Sequence, residues 1–323
     1  MNQLNSNEWV VMKFGGTSVS STACWATICD QAAVRVDQGK KVLIVVSALS
    51  GVTNLLTELA DGTGSRSTSE ILHEIDQKHR KLLGELQVEP TPAFEQHWSN
   101  LTELVFNDGG ALDVQGRALL LAHGELLSSS IGQQVLMSSG RDARWQDARR
   151  LLTASGPGDD ALSVRCGDHA DPDMGQNLAD ECSLHVTQGF IASGRDGSTC
   201  LLGRGGSDTS AAYLAARLSA VALEIWTDVP GIFSADPRLV PEARLLRRLS
   251  YSEAQELASM GAKVLHPPSI QPARKNHIPV FIRDTNRPQE PGTRIGRRTT
   301  AEEAQVKGVV SRSDIVLITM ENP

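Results

Sequence analysis

Short apolar runs alternate with amphipathic stretches from the start of the 323-residue chain. Trp9–Phe14 (WVVMKF) and Lys41–Val46 (KVLIVV) predict strands, and the second is apolar at successive positions, as in a strand covered on both faces. Between them, Thr17 or Ser18 is a suitable N-cap for one helix, which would end before Gly39. This strand-helix-strand unit predicts the α/β class with a mostly parallel sheet.

The alternation continues through the rest of the chain. Glu70–Leu86 has one apolar helical stripe, and residues 111–138 predict a long helix. Residues 155–180 are rich in Gly, Asp and Pro without a visible period, so we expect a variable connection there. Further strands are expected at 185–192, 198–202, 223–227 and 278–282, helices near 207–220, 252–260 and 267–275, and two strand-like runs at 306–310 and 315–320.

Composition narrows the classes of protein. The chain has 31 Lys and Arg against 38 Asp and Glu, a net charge of −7, which disfavours a nucleic-acid partner. Its five cysteines form no C-x-x-C pair, so we expect neither a disulfide framework nor a zinc site but a reducing compartment. The first residues, MNQLNSNEW, do not have the basic-then-apolar pattern of a secretory leader, and no apolar run approaches the ~18 residues of a membrane span. We therefore expect a cytoplasmic protein without a membrane partner.

The first candidate site is a Gly-rich turn after the first predicted strand. Lys13 ends that strand, and Gly15 and Gly16 precede the predicted helix. Unpaired N–H groups at a helix N-terminus bind anions, and glycines let a phosphate approach the backbone. A tight structural turn is an equally weighted alternative, because short Gly pairs near a Lys are common.

The second candidate site is the stretch LGRGGSDTS at residues 202–210, which leads directly into an Ala-rich helix. It places the guanidinium of Arg204 and the carboxylate of Asp208 beside bare backbone, which favours a binding site over a purely structural loop. Its glycine spacing matches neither the Walker A loop nor the dinucleotide fingerprint. Ordinary P-loop and Rossmann enzymes are therefore disfavoured.

Other segments are ambiguous by themselves. The stretch SALSGVTN at 47–54 offers hydroxyls at the carboxyl end of a predicted strand, or an N-cap cluster. Glu125 lies in an apolar helix and needs a cation or donors nearby, with an internal salt bridge as the alternative. Neighbouring His123 is expected to pack rather than to catalyse. The loops at 226–238 and 261–267, the latter with Lys263, are each plausible as structure alone.

Together these segments resemble the aspartate kinase family, part of the amino acid kinase superfamily. The motifs KFGGTSV, AHGELLSS, TQGF, LGRGGSD, TDVPGI and GAKVLHP occur in the family's order, and the resemblance runs from about residue 10 to residue 320. It implies a three-layer αβα fold, with the amino acid bound toward the N-terminal half and ATP toward the C-terminal half. It also implies a catalytic domain over 1–305 and the start of an ACT-like regulatory region over 306–323. The chain would then be part of a longer protein, such as a fusion with diaminopimelate decarboxylase.

The resemblance assigns roles to particular positions. Lys13 and Asp208 match catalytic positions, with Asp208 expected to hold Lys13 in place. The matched aspartate-binding positions are Ser47, Thr53, Glu125 and Arg204. The matched nucleotide-site positions are Gly15, Gly16, Gly205, Ser207, Thr227, Asp228, Phe233, Asp236, Arg238 and Lys263. Phe233 stands where many relatives have Tyr, so a hydroxyl contact would be lost while the aromatic face remains.

The implied reaction is attack of the L-aspartate side-chain carboxylate on the γ-phosphorus of ATP, giving 4-phospho-L-aspartate and ADP on the route to lysine, threonine and methionine. The nucleophile is already ionised at neutral pH, so no catalytic base is needed. Cations must balance the charge of the transferred group, which suits Lys13 and Lys263. Mg²⁺ is expected on the ATP phosphates rather than in a protein cage. A homo-oligomer is expected, with a dimer as its simplest form.

Two alternatives stay open. One is a kinase for another amino acid, such as glutamate or its acetylated form. A partner for a free α-amine, as Glu125 would be, favours aspartate. The other is a noncatalytic nucleotide-binding or sensor protein on the same fold, against which the presence of Lys13, Asp208 and Lys263 argues.

Overall fold

The computed structural model describes residues 8–62, 65–107, 112–156, 160–259, 265–297 and 308–309. Some positions singled out in the sequence lie outside these ranges. They are Lys263 and the rest of its motif up to residue 264, the strand-like run at 315–320, and most of the run at 306–310.

A mostly parallel sheet forms the centre of the described chain. The strands of this sheet are β1 (Trp9–Phe14), β2 (Lys41–Val46), β3 (Ala143–Gln146), β4 (Leu184–Gln188), β7 (Ala222–Thr227), β8 (Arg248–Ser250), β9 (Val280–Asp284) and β10 (Thr293–Gly296). Two further strands, β5 (Ile191–Ser193) and β6 (Thr199–Leu201), form a separate antiparallel hairpin. The order across the sheet is β3-β4-β2-β1-β7-β9-β10-β8. Neighbouring strands are parallel except β9 and β10, which are antiparallel.

Helices cover both faces of this sheet. They are α1 (Thr22–Asp37), α2 (Val52–Asp61), α3 (Thr68–Leu86), α4 (Pro92–Asn107), α5 (Val114–Ser138), α6 (Ala148–Leu151), α7 (Pro172–Glu181), α8 (Gly206–Arg217), α9 (Tyr251–Ser259) and α10 (Gln271–Lys275). None of the helices in the described ranges combines the length and the apolar character needed to cross a membrane.

Alternate side chains of the central strands enter two separate cores. On β1, Met12 and Phe14 join the cluster beneath α1, α2, α3 and α5, whereas Trp9 and Val11 join the cluster beneath α7, α8 and α10. Because successive strand residues point to opposite faces, strands buried on both sides must be apolar throughout. The three-layer αβα fold predicted from the sequence is therefore confirmed.

The bounds of β1 and β2 agree with the prediction, but the helix between them begins later than predicted. Thr17 and Ser18 do not cap it: a short 3₁₀ turn covers Ser18–Ser20, and Ser21 is the N-cap, its side chain accepting from the backbone N–H of Cys24 (3.3 Å). The Gly-rich turn is thus followed by one tight turn before the helix proper, which lengthens the backbone segment at the end of β1.

Two further expectations were wrong. Residues 155–180 are not only a connection, because α7 begins at Pro172 with Asp171 as its N-cap. The single strand expected at 185–192 is two strands in different sheets, separated by Phe190, whose φ is +67°. A positive φ at a bulky residue is uncommon and turns the chain sharply. This turn brings Phe190 to the Gly-rich stretch that precedes α8.

Candidate functional site

The carboxyl ends of β1 and β2 and the N-terminus of α8 surround a cavity of about 790 Å³. Carboxyl ends of parallel strands and helix N-termini are where α/β proteins bind ligands. Of the residues predicted for a site, those that line it are Lys13, Gly16, Ser47, Thr53, Glu125, Arg204, Gly205, Ser207 and Asp208. The two Gly-rich turns therefore converge, as the sequence suggested.

The ion pair between Lys13 and Asp208 joins the two turns. Lys13 Nζ lies 2.6 Å from Asp208 Oδ1, and the side chains are only 12% and 13% exposed. Asp208 lies in the first turn of α8, where a carboxylate interacts favourably with the helix dipole. Lys13 is thereby held beside the N-terminus of α8. The lysine charge and the positive end of the helix dipole both favour an anionic ligand.

The turn after β1 is fixed by contacts with the neighbouring strands. The Gly15 N–H donates to the Trp226 carbonyl on β7 (3.3 Å). Gly16 runs so close to the next turn that a Cβ atom there would lie 2.8 Å from the carbonyl oxygen of Ala48. Only glycine fits such a close approach of two backbones, so no side chain at position 16 covers the backbone of this turn.

The second turn needs glycine for its conformation. Gly203 and Gly205 have φ values of +68° and +70°, and Gly205 is the N-cap of α8. Ser210 holds the turn from inside: it accepts the Phe190 N–H and donates to the Gly206 carbonyl, both at 2.6 Å. No side chain caps the α8 N-terminus. The Gly206 N–H donates to the Gly203 carbonyl (3.0 Å) and the Thr209 N–H to the Gly205 carbonyl (3.0 Å), which leaves the N–H groups of Ser207 and Asp208 for a ligand.

Glu125 is the buried acid of this cavity. Its side chain is on α5 and the residue is 3% exposed. Oε1 accepts the Ala48 N–H at 3.1 Å, and Oε2 is buried without a hydrogen-bond partner. Burial raises the pKa of Glu125 to about 8, although the Ala48 hydrogen bond and the charge of Lys13 act in the opposite direction. Within the described residues Glu125 forms no ion pair, so the internal salt bridge considered from sequence is absent.

His123 lies on the opposite face of α5 from Glu125. Its Nδ1–H donates to the Leu119 carbonyl (2.8 Å), and burial lowers its pKa to about 4. It lines a second cavity of about 380 Å³, together with His97 and Arg149. His123 therefore does not reach the site, in agreement with the expectation that it packs.

The remaining predicted nucleotide residues lie apart from the cavity lining. Gly15, Thr227, Asp228, Phe233, Asp236 and Arg238 are not among its wall residues. Thr227 ends β7 and its hydroxyl donates to Asp228 (3.2 Å), whereas Asp236 and Arg238 form an exposed ion pair (2.7 Å). The roles of these residues, and of Lys263 outside the described ranges, stay predictions.

Sequence reasoning missed several residues of the wall. Phe190 lines the cavity and packs closely against Gly206. It belongs to the TQGF motif, which could have identified it but contributed only to the family resemblance. Arg117 and Thr57 also line the cavity; Arg117 pairs with Asp61 at 2.6 Å. No local pattern could identify Arg117, because it enters the site only through the packing of α5 on α2. No group of three or more His, Cys, Asp or Glu suited to a metal occurs in the described ranges.

Comparison with known proteins agrees with this fold and shows the family. The model of the amino acid kinase family matches residues 8–284, so the chain belongs to that family. Among curated proteins it is similar to the lysine-sensitive aspartokinase 3 of Escherichia coli (strain K12), with 35% identity over 91% of this chain and 65% of that protein. It is also similar to the bifunctional aspartokinase/homoserine dehydrogenase of Daucus carota, with 34% identity over 97% of this chain and 36% of that protein.

Solved structures give the same result. The crystal structure of E. coli aspartokinase III in complex with aspartate and ADP superposes with a TM-score of 0.79, at 34% identity, over 91% of this chain and 66% of that one. The aspartate kinase of Clostridium acetobutylicum superposes with a TM-score of 0.71 at 26% identity. The chain thus spans about two thirds or less of the length of these relatives.

Proposed function

We propose that this chain carries the catalytic domain of an aspartate kinase, which transfers the γ-phosphoryl group of ATP to the side-chain carboxylate of L-aspartate. The observation that carries the proposal is the convergence in one cavity of the Lys13–Asp208 pair, an uncapped helix N-terminus and the unpartnered carboxyl of Glu125. The similar E. coli enzyme was solved with aspartate and ADP, which supports both substrates.

The residues present fit a phosphate chain. The backbone at Gly16 and the N–H groups in the first turn of α8 face the same cavity, with Lys13 beside them. Phosphoryl transfer depends on positioning and on cations that balance the charge of the transferred oxygens. We assign this work to Lys13, and to Asp208 the task of keeping Lys13 in position. Mg²⁺ would enter on the ATP phosphates, because the ion keeps most of its water ligands.

The amino acid is proposed to lie between Glu125 and Arg204. Glu125 Oε2 has no partner in the cavity and would accept from the α-ammonium. Arg204 is exposed at the rim and can bind a carboxylate with two parallel hydrogen bonds. Ser47 and Thr53 line the wall between them and would bind the remaining oxygens. An aspartate bound in this way has its nucleophilic carboxylate free to face the α8 N-terminus.

Further parts of the proposal concern residues and states that the cavity itself does not define. The loop after β7, with Thr227, Asp228, Phe233, Asp236 and Arg238, is proposed to bind the nucleotide together with Gly15 and Lys263. A catalytic domain over residues 1–305, a dimeric state and a cytoplasmic location stay predictions. Solution mass measurement tests the dimer.

The reaction is tested by trapping the acyl phosphate with hydroxylamine. Purified protein with Mg-ATP is supplied with L-aspartate, L-glutamate or N-acetyl-L-glutamate, and hydroxamate is expected from L-aspartate alone. The Lys13→Ala variant should lower kcat by about two to three orders of magnitude at saturating substrates. ATP binding without hydroxamate from any of the three acids would instead identify a nucleotide sensor on this fold.

A further inference from the structure

The two faces of α5 separate the environments of its titratable residues. Leu121 and Glu125, one turn apart, face the 790 Å³ cavity, whereas Leu119 and His123 face the 380 Å³ cavity. Groups of α4 that line the smaller cavity, His97 and Glu103 among them, are therefore on the far side of the helix from Glu125. The charge on Glu125 must be balanced from its own side.

The cations on that side are already engaged. Lys13 on β1 is paired with Asp208 at 2.6 Å, and Arg117, two turns before Glu125 on α5, is paired with Asp61 at 2.6 Å. Each of these pairs is neutral as a unit, so neither supplies a full countercharge to Glu125. In the described residues the only hydrogen bond that the carboxyl group accepts from another residue is that of the Ala48 N–H, and Oε2 accepts none.

The remaining charged groups near the cavity face water. Arg204, two residues before α8, is exposed. Lys78 of α3 lies near Gly51 at the mouth of the cavity and pairs with Glu74 (3.8 Å). The segment between β2 and α2 contributes the hydroxyl groups of Ser47 and Ser50, and the first turn of α2 contributes that of Thr53. These hydroxyl groups do not titrate. A buried carboxylate with one donor and one bare oxygen would pay the full desolvation cost of its charge.

We propose that Glu125 holds a proton while the cavity is empty and releases it when a primary ammonium enters, so that binding of the amino acid is an exchange of cations. The carboxyl O–H bond breaks, the proton goes to solvent, and the resulting carboxylate pairs with the ligand's –NH₃⁺. No other bond changes, and charge is conserved within the site. This inference rests on the proposed function, because it takes L-aspartate as the ligand.

The exchange makes amine recognition selective. A ligand without an ammonium group would leave Glu125 neutral and gain only a hydrogen bond, whereas an ammonium gains a charge-assisted bond in a buried site. Affinity also becomes dependent on pH, because the proton must leave before the pair forms. With the pKa of Glu125 near 8, binding at pH 8 is expected to be about fivefold tighter than at pH 7.

Calorimetry measures the exchange directly. L-aspartate is titrated into the full chain, with saturating ADP present, in two buffers of different ionisation enthalpy. The buffer dependence of the heat counts the protons, and release of about 0.9 proton per site at pH 7 and about 0.5 at pH 8 is expected. Succinate, which lacks the amine, serves as the matched ligand and should release none.

Two variants separate Glu125 from the rest of the site. Glu125→Gln should bind L-aspartate more weakly, release no proton and show no change of affinity between pH 7 and pH 8. Arg204→Gln should also weaken binding but keep the proton release. If Glu125→Gln does not fold, difference infrared spectroscopy on the unmodified protein replaces it: the C=O stretch of a protonated carboxyl should disappear when L-aspartate binds.

The failures are distinguishable. Binding of L-aspartate with no proton released and no infrared change would overturn the proton exchange and leave the proposed function intact. Proton release that persists in Glu125→Gln would also overturn it, because another group would then be the source. Absence of L-aspartate binding under all these conditions would refute the proposed function and the exchange with it.

Discussion

Replacing Asp208 by Asn tests the ion pair at the centre of the site. The substitution removes one charge and nearly conserves the volume of the side chain. Lys13 Nζ, 2.6 Å from Asp208 Oδ1, would keep at most a neutral oxygen as its partner. Because both side chains are almost out of water, solvent cannot replace the lost charge.

The expected loss of stability follows from that burial. Removing one partner of a fully buried pair costs about 3–5 kcal/mol. These side chains are 12% and 13% exposed and Asn still accepts a hydrogen bond, so about 2–3 kcal/mol is expected. For a chain of this size such a loss lowers Tm by roughly 5 °C. The effect on kcat should be larger, about 10²–10³-fold, because a displaced lysine no longer stabilises the transferred phosphoryl group.

A double-mutant cycle separates positioning from direct catalysis. The hydroxamate assay gives kcat and KM for Asp208→Asn, for Lys13→Met and for the double variant. If Asp208 acts through Lys13, the double variant should be about as slow as Lys13→Met alone. Asp37→Asn, which breaks the exposed pair with Arg141, is the control and should change neither kcat nor Tm. Multiplicative losses in the double variant would refute the positioning role.

Two other variants test packing and burial. Gly206→Ala should lower the free energy of unfolding by about 1–3 kcal/mol, because the added Cβ would overlap the Phe190 ring. The control is Gly84→Ala in α3, which has open space around it and should be neutral or stabilise the protein by up to ~1 kcal/mol. Urea unfolding measures both variants, and the reverse order of stability would contradict the packing argument. Burial lowers the pKa of His79 to about 4, below its unfolded value, so its contribution to stability is present above pH 6.5 and is lost as the pH falls toward 4. Between pH 7 and pH 5, the free energy of unfolding of His79→Phe should therefore fall by about 2 kcal/mol less than that of the unmodified protein. Equal decreases would show that His79 is not neutral in the folded state.

The parts of the fold that were predictable are those where burial leaves a continuous apolar run. β1 and β2 are covered on both faces, so the ends of their apolar runs in the sequence mark the ends of the strands. The short strands β3 (ARWQ) and β8 (RLS) lie at the two edges of the sheet and carry charged residues, so they resemble loops. They are strands because they pair with β4 and β10, respectively, and the local sequence does not reveal these pairings.

The sequence pointed to residues that the fold brings together in one cavity, but not to their electrostatics. Glycine spacing and the residues around it indicated an anion site, because those residue types have few other uses in combination. That Glu125 has a single donor, from Ala48, depends on how α5 packs against the turn after β2. The helix beginning at Pro172 was within reach, since Asp171 and the proline form a usual start signal that the loop-like composition obscured.

The central position of β1 has a consequence for how the chain acquires its structure. β1 pairs with β2 on one side and with β7 on the other, where Val10 is in register with Ala222. During synthesis the edge of β1 that pairs with β7 therefore stays unpaired until β7, which begins at Ala222, has emerged from the ribosome. An open, hydrophobic edge invites association with other chains, so yield on expression should depend on chaperone supply and temperature more than the final stability would suggest.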